Sequence, residues 1–227
     1  MNKFIEISEI EKACETLKKV VINSPFQKIS TYSNIYNSNI FFKREDLQNV
    51  RSFKIRGAFN KISSLTKSQS INGLVCASAG NHAQGFAVSC TNFGYKGRVY
   101  MPKSTPNQKI EKVRKFGKNN IEIILFGENF SQAYEMALKD CHDHNKIFIH
   151  PFDDIKVITG QATLFLEMID QIDNELDYLF IPIGGGGLIS AAINVFKQLS
   201  PQTKIIGIEP KGAPSMFQSL KKNRLVK

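Results

Sequence analysis

The sequence predicts an α/β fold in which parallel strands are covered on both faces by helices. Three observations predict it. Short apolar runs alternate with longer amphipathic runs from residue 74 to residue 208, the pattern of strand–helix–strand units. Runs such as Leu74-Val75-Cys76-Ala77 and Tyr178-Leu179-Phe180-Ile181-Pro182-Ile183 are apolar at nearly every position, as strands buried on both faces must be. Proline and glycine punctuate the junctions: Pro102 stops one strand, Pro106 opens the next helix, and Gly184-Gly185-Gly186-Gly187 join another strand to its helix.

Taken in order, Ser8-Glu9-Ile10-Glu11 has the form of a capping box. Ile10, Ala13, Cys14, Leu17 and Val21 follow at helical spacing. Residues 39–43 read as a strand and 56–65 as a helix. Strands are then expected at 74–77, 98–101, 121–125, 147–149, 178–183 and 204–208. The helices between them are expected at 81–92, 106–116, 131–144, 160–172 and 188–199, and a short helix after the last strand. The tail from Lys221 to Lys227 carries no closing element, so a fragment of a longer fold is expected.

Bulk properties narrow the function classes. A chain of 227 residues with 42% hydrophobic content can bury a real core in one large or two small domains. No apolar stretch is long enough to cross a bilayer, and Met1-Asn2-Lys3-Phe4-Ile5-Glu6 lacks a secretory apolar core. Cys14, Cys76, Cys90 and Cys141 form no Cys-x-x-Cys pair, so reduced thiols in a cytoplasmic protein are expected. The four histidines make no recognisable metal-ligand set, and no metal is expected. The net charge of +10 is spread along the chain without a dense basic block, which argues for solvated faces rather than a nucleic-acid partner.

Three segments carry chemistry. The first is Ser52-Phe53-Lys54-Ile55-Arg56-Gly57-Ala58. An amine between apolar neighbours loses hydration and its charged form is disfavoured, the setting in which a lysine attacks a carbonyl to form an imine. The same residue also fits a helix-start lysine lying along apolar surface, and the segment alone does not separate the two. The second is the glycine run 184–187, where a tight turn and the free N–H groups of the following helix make an anion site. A nucleotide-triphosphate loop is excluded, because Phe86 stands where a lysine must follow Gly85. A dinucleotide loop matches at Gly184, Gly186 and Glu209, but Ile189 occupies the third glycine position. The third is Ser78-Ala79-Gly80-Asn81-His82-Ala83-Gln84-Gly85, a polar donor loop at the carboxyl end of a strand, where α/β sheets bind ligands. Ser78 and Asn81 could also serve only as helix caps. An activatable amine, an anion cradle and a donor loop are together what pyridoxal 5'-phosphate requires.

The same residues, with Lys43-Arg44-Glu45-Asp46-Leu47-Gln48, resemble the serine/threonine dehydratases, and the resemblance covers nearly the whole chain. It is nearest to the biosynthetic threonine dehydratases, whose pattern the segment from Ile208 to Met216 also follows. The resemblance implies a two-lobed fold type II, tryptophan synthase β-like architecture. Residues 1–50 and 150–227 would form a large cofactor-binding domain, here incomplete, and residues 51–149 a small α/β domain. It implies that Lys54 holds the cofactor as an imine, with Phe53 beside it. Asn81 would bind the ring oxygen, and Gly184, Gly185, Gly186, Gly187 and Leu188 the phosphate. Ser78, Asn81 and His82 would receive the substrate carboxylate.

The implied reaction is β-elimination of L-threonine to 2-oxobutanoate and ammonia, the first step of isoleucine biosynthesis, by a homo-oligomer when full length. A serine dehydratase or serine racemase-type enzyme, or an inactive fragment, is the alternative. Ile55 follows the lysine where threonine and cysteine synthases carry an aspartate. Ala79 stands where serine racemases place a second serine. Both favour elimination over addition and racemisation. Ala162, in Gly160-Gln161-Ala162-Thr163, replaces a usual glycine at an expected helix start. Ser215 replaces an acidic residue near Glu209.

Overall fold

The computed structural model describes residues 4–172 and 175–226. Met1 to Lys3 and Lys227, which entered the readings of the two termini, lie outside them. Helix α1 spans Ile7–Leu17 and α2 Ser30–Tyr36, with α2 between strands β1 (Phe26–Lys28) and β2 (Phe41–Lys43). A 3-10 turn, Glu45–Leu47, precedes α3 (Lys54–Ser63) and the short α4 (Lys67–Ser70). The chain then alternates: β3 Leu74–Ala77, α5 Asn81–Phe93, β4 Gly97–Met101, α6 Asn107–Gly117, β5 Ile121–Leu125, α7 Phe130–His144, β6 Ile147–Phe148 and α8 Ile155–Gln171. The rest is β7 Tyr178–Pro182, α9 Gly187–Leu199, β8 Lys204–Ile208 and α10 Ser215–Lys222.

The expected parallel sheet is present. Four strands run in the order β5-β4-β3-β6, every pair parallel. Period-two alternation splits β3 between two layers. Leu74 and Cys76 join Val99 and Met101 under Phe86 and Cys90 of α5 and Ile110 and Val113 of α6. Val75 and Ala77 face Ala133 and Ala137 of α7 on the other side. A separate core gathers Ile10 of α1, Phe165 and Met168 of α8, Leu179 and Ile181 of β7, and Val195 and Phe196 of α9.

Three expectations are corrected, and some elements are new. Ser8 does not cap α1: the cap position is Glu6, with extended backbone and no side-chain hydrogen bond. Tertiary docking sets that start, because buried Ile5 donates its N–H to Asn194 Oδ1 at 2.6 Å and its carbonyl accepts from Gln198. Helix α8 begins at Ile155, not near Gly160. Asp154 caps it by accepting from Lys156 and Val157 N–H, and so Ala162 lies inside the helix. The strands of the β7–β8 sheet are not buried on both faces: Tyr178 is 51% and Phe180 64% exposed, while alternate residues Leu179 and Ile181 enter the core. The antiparallel β1–β2 pair and the helix α2 between its strands, with α4, were not expected. Strand β1 and helix α4, of three and four residues, carry too little periodicity to be read, and the seven-residue α2 buries only Ser33 and so shows no apolar stripe.

What positions the site is α3, held between α5 and α8. A Cβ on Gly160 of α8 would lie 2.5 Å from Arg56 O, and one on Gly85 of α5 3.1 Å from Lys54 O. Only hydrogen side chains allow both neighbours this close. Beneath α3, fully buried Arg56 forks onto two carboxylates. It meets Glu45 through Nε and Nη2, both at 2.8 Å, and Glu167 through Nη1 and Nη2, at 2.7 and 2.9 Å. Lys43 Nζ reaches Glu167 Oε2 at 2.8 Å. Two cations and two carboxylates thus neutralise one another away from water, with Ser24 Oγ and Gln48 Nε2 donating to Glu45.

Candidate active site

Lys54 is the first residue of α3. Its Nζ donates to Pro151 O at 2.8 Å and lies 5.4 Å from the centre of the Phe53 ring. Burial holds its amine below the ordinary lysine value, with no carboxylate to restore the charge. The apolar company seen in the sequence therefore does what the chemical reading required.

The amine lines a cavity of about 240 Å3 together with Phe53, Pro151, Phe152, Gln161, Pro182 and the run from Gly184 to Leu188. The glycine run leads from β7 into α9. Gly186 has φ of +84°, a conformation open to glycine, and the Phe152 ring occupies the space a Cβ on Gly185 would need. The first intrahelical bond of α9 is Ser190 N–H to Gly186 O, so the N–H groups of Gly187, Leu188 and Ile189 have no partner within the helix. They present the positive helix end to the same cavity as the lysine.

Lys54, Phe53 and the phosphate-loop residues are thus brought together. The 78–85 loop is not part of the cavity lining. Ser78 Oγ accepts from Gly80 N–H at 3.1 Å, Asn81 is exposed at the start of α5, and Ala79 packs partly against the core. His82 is buried with Nε2 3.0 Å from Ile149 O. A carbonyl only accepts, so Nε2 carries the proton and Nδ1 is a bare acceptor, unpartnered among the described residues. Desolvation lowers the pKa of this ring to about 3. In that state the side chain has no proton for a carboxylate, whereas the free N–H groups opening α5 do.

Sequence reasoning missed Pro151, Phe152, Gln161 and Pro182. The signal for the first two was available: they follow β6 at a carboxyl strand end. Gln161 is 1% exposed, and its Oε1 has no partner among the described residues. The amine and the helix N-terminus suit an anion-bearing ligand, and the unpartnered Gln161 oxygen offers an acceptor to a donor group on it. Glu209 is engaged elsewhere: its carboxylate accepts from Met216 and Phe217 N–H at 2.9 and 2.8 Å, which removes the dinucleotide alternative's ribose partner.

The model of pyridoxal-phosphate dependent enzymes matches residues 17–227. The chain belongs to this family. Family relatives include the biosynthetic L-threonine dehydratase IlvA of Halalkalibacterium halodurans, 49% identical over 222 residues, covering 98% of this chain and 54% of the relative. That of Bacillus subtilis is 48% identical over 225 residues, with 99% and 53% covered. Among solved family structures, the processed form of threonine deaminase isoform 2 from Solanum lycopersicum superposes with a TM-score of 0.91 at 39% identity, covering 97% of this chain and 60% of that one. Maize serine racemase gives 0.91 at 30% identity, with 98% and 66% covered. The chain spans about half the length of the curated relatives it matches. The family's cofactor, pyridoxal phosphate, is a phosphorylated aldehyde. The desolvated amine fits its aldehyde and the α9 N-terminus its phosphate.

Proposed function

We propose that this chain carries the cofactor-binding part of an enzyme that deaminates L-threonine to 2-oxobutanoate and ammonia by β-elimination, the first step of isoleucine biosynthesis. One observation carries the reading: the Lys54 amine and the α9 N-terminus face one cavity. When bound, pyridoxal phosphate supplies an aldehyde for the amine and a ring that withdraws electrons from the substrate's Cα–H bond.

The protein's own residues would then act as follows. The N–H groups of Gly187 to Ile189 hold the phosphate. Phe53, Phe152 and Pro182 wall the ring from water. Asn81, at the first position of α5, donates to the ring oxygen. Ser78 Oγ and the Asn81 and His82 backbone N–H groups take the substrate carboxylate. Lys54 would accept the Cα proton at Nζ, a role its lowered pKa favours. The β-hydroxyl would leave as water, taking that proton back from Nζ, and a water molecule would then release ammonia from the product. Ile55 is buried and offers no second nucleophile. The two separate cores support a division into residues 1–50 with 150–227 and residues 51–149. Four free thiols fit a cytoplasmic enzyme, and we read its assembly as a homo-oligomer.

The test is titration of the purified protein with pyridoxal phosphate, read as a visible absorbance band and as 2-oxobutanoate released from threonine. Wild type is expected to show both and Lys54→Ala neither. A wild type without the band sinks the reading.

A further inference from the structure

One turn touches both halves of the site. Residues His150 to Asp153 connect β6 to the capped start of α8. His150 Nδ1 accepts from Phe152 N–H at 3.3 Å and from Asp153 N–H at 2.7 Å. This is the geometry of an Asx motif, with imidazole nitrogen in place of a carboxamide oxygen. Inside the turn, Pro151 O receives the Lys54 amine. The Phe152 ring stands edge-on to His150 at 4.6 Å and fills the space beside Gly185. A Cβ on Gly187 would lie 2.7 Å from Phe152 O. The amine and the phosphate loop are therefore both registered on four residues gathered by one imidazole.

We propose that His150 is a positioning residue: its unprotonated Nδ1 folds the 150–153 turn, and the turn sets Lys54 and the glycine run at the separation the cofactor needs. The proposal rests on the cofactor reading above. It makes acid a release signal. A proton on Nδ1 would set N–H against two N–H groups and open the turn. The groups facing the ring are Asp153 and Asp154, which favour its protonation, and Lys54, which opposes it; His82, neutral over this range, adds no charge, and Tyr134 of α7 and Phe148 of β6 stand edge-on to the ring. Burial, the largest influence, keeps the ring neutral below the ordinary histidine value.

The experiment measures cofactor dissociation constants by visible absorbance between about pH 7.5 and about pH 5.5 for wild type, His150→Asn and His150→Leu. Asparagine restores an acceptor that cannot titrate. It should bind within about threefold of wild type at the upper pH and lose wild type's weakening toward acid. Leucine removes the acceptor and should bind about tenfold more weakly at the upper pH. Long-range 1H–15N spectra of wild type should place the imidazole proton on Nε2. Should leucine fail to fold, the asparagine profile and the spectra decide. A proton on Nδ1 at neutral pH, or an acid profile unchanged by asparagine, overturns the proposal. A wild type that never binds overturns the cofactor reading as well, whereas binding that neither variant alters overturns this inference alone.

Discussion

Arg56, two places from Lys54, and Glu167 lie 111 residues apart in sequence and meet through two parallel N–H···O bonds. The pair ties α3 to α8, and Glu45 and Lys43 complete a neutral buried quartet. Such a quartet repays its desolvation only when every member is present. Arg56→Leu strands two carboxylates against one lysine. The expected loss is about 3–5 kcal/mol in urea unfolding. Replacement of all four members, Lys43, Glu45, Arg56 and Glu167, by apolar residues should recover much of it. A loss below about 1 kcal/mol for Arg56→Leu would show that water already solvates the cluster.

Gly160→Ala tests the helix contact above that quartet. Alanine gains about 1 kcal/mol of helix propensity over glycine. Here the new methyl would sit 2.5 Å from the Arg56 carbonyl and 2.8 Å from Asn60 Cβ, so α3 and α8 must part. Overpacking of this kind costs about 1–3 kcal/mol, and the steric term wins. A lower melting temperature with weaker cofactor binding is expected. A melting temperature equal to or above wild type would mean that α3 moves freely.

His82 sets an acid limit on stability. Its pKa is 6.5 when free and falls to about 3 in the folded chain. The unfolded chain therefore takes up the proton first as pH drops. The neutral ring's contribution is complete above about 6.5 and is lost as pH falls through that window, by about 1.4 kcal/mol per pH unit. His82→Gln should flatten the slope of unfolding free energy against pH between neutrality and pH 5. An identical slope in the variant would remove His82 as its source.

Much of the fold was legible because its signals are local. The strands Leu74–Ala77, Ile121–Leu125 and Lys204–Ile208 stand where their apolar runs placed them, since side-chain period is written into neighbouring residues. The start of α8 was misplaced because a glycine in mid-sequence looks like a boundary. Only the α3 surface explains why Gly160 is interior.

The site divides the same way. By itself the sequence determined the strand–helix order, the lysine between apolar residues and the glycine run before a helix, because each is contiguous in the chain. Tertiary structure alone decided that Lys54 and the glycine run share one cavity, that Arg56 is buried rather than solvated, and that His82 is a sealed acceptor instead of an exposed donor. The physical reason is that desolvation and charge pairing depend on residues about a hundred positions away. A side chain's charge state is a property of its surroundings, and folding supplies those.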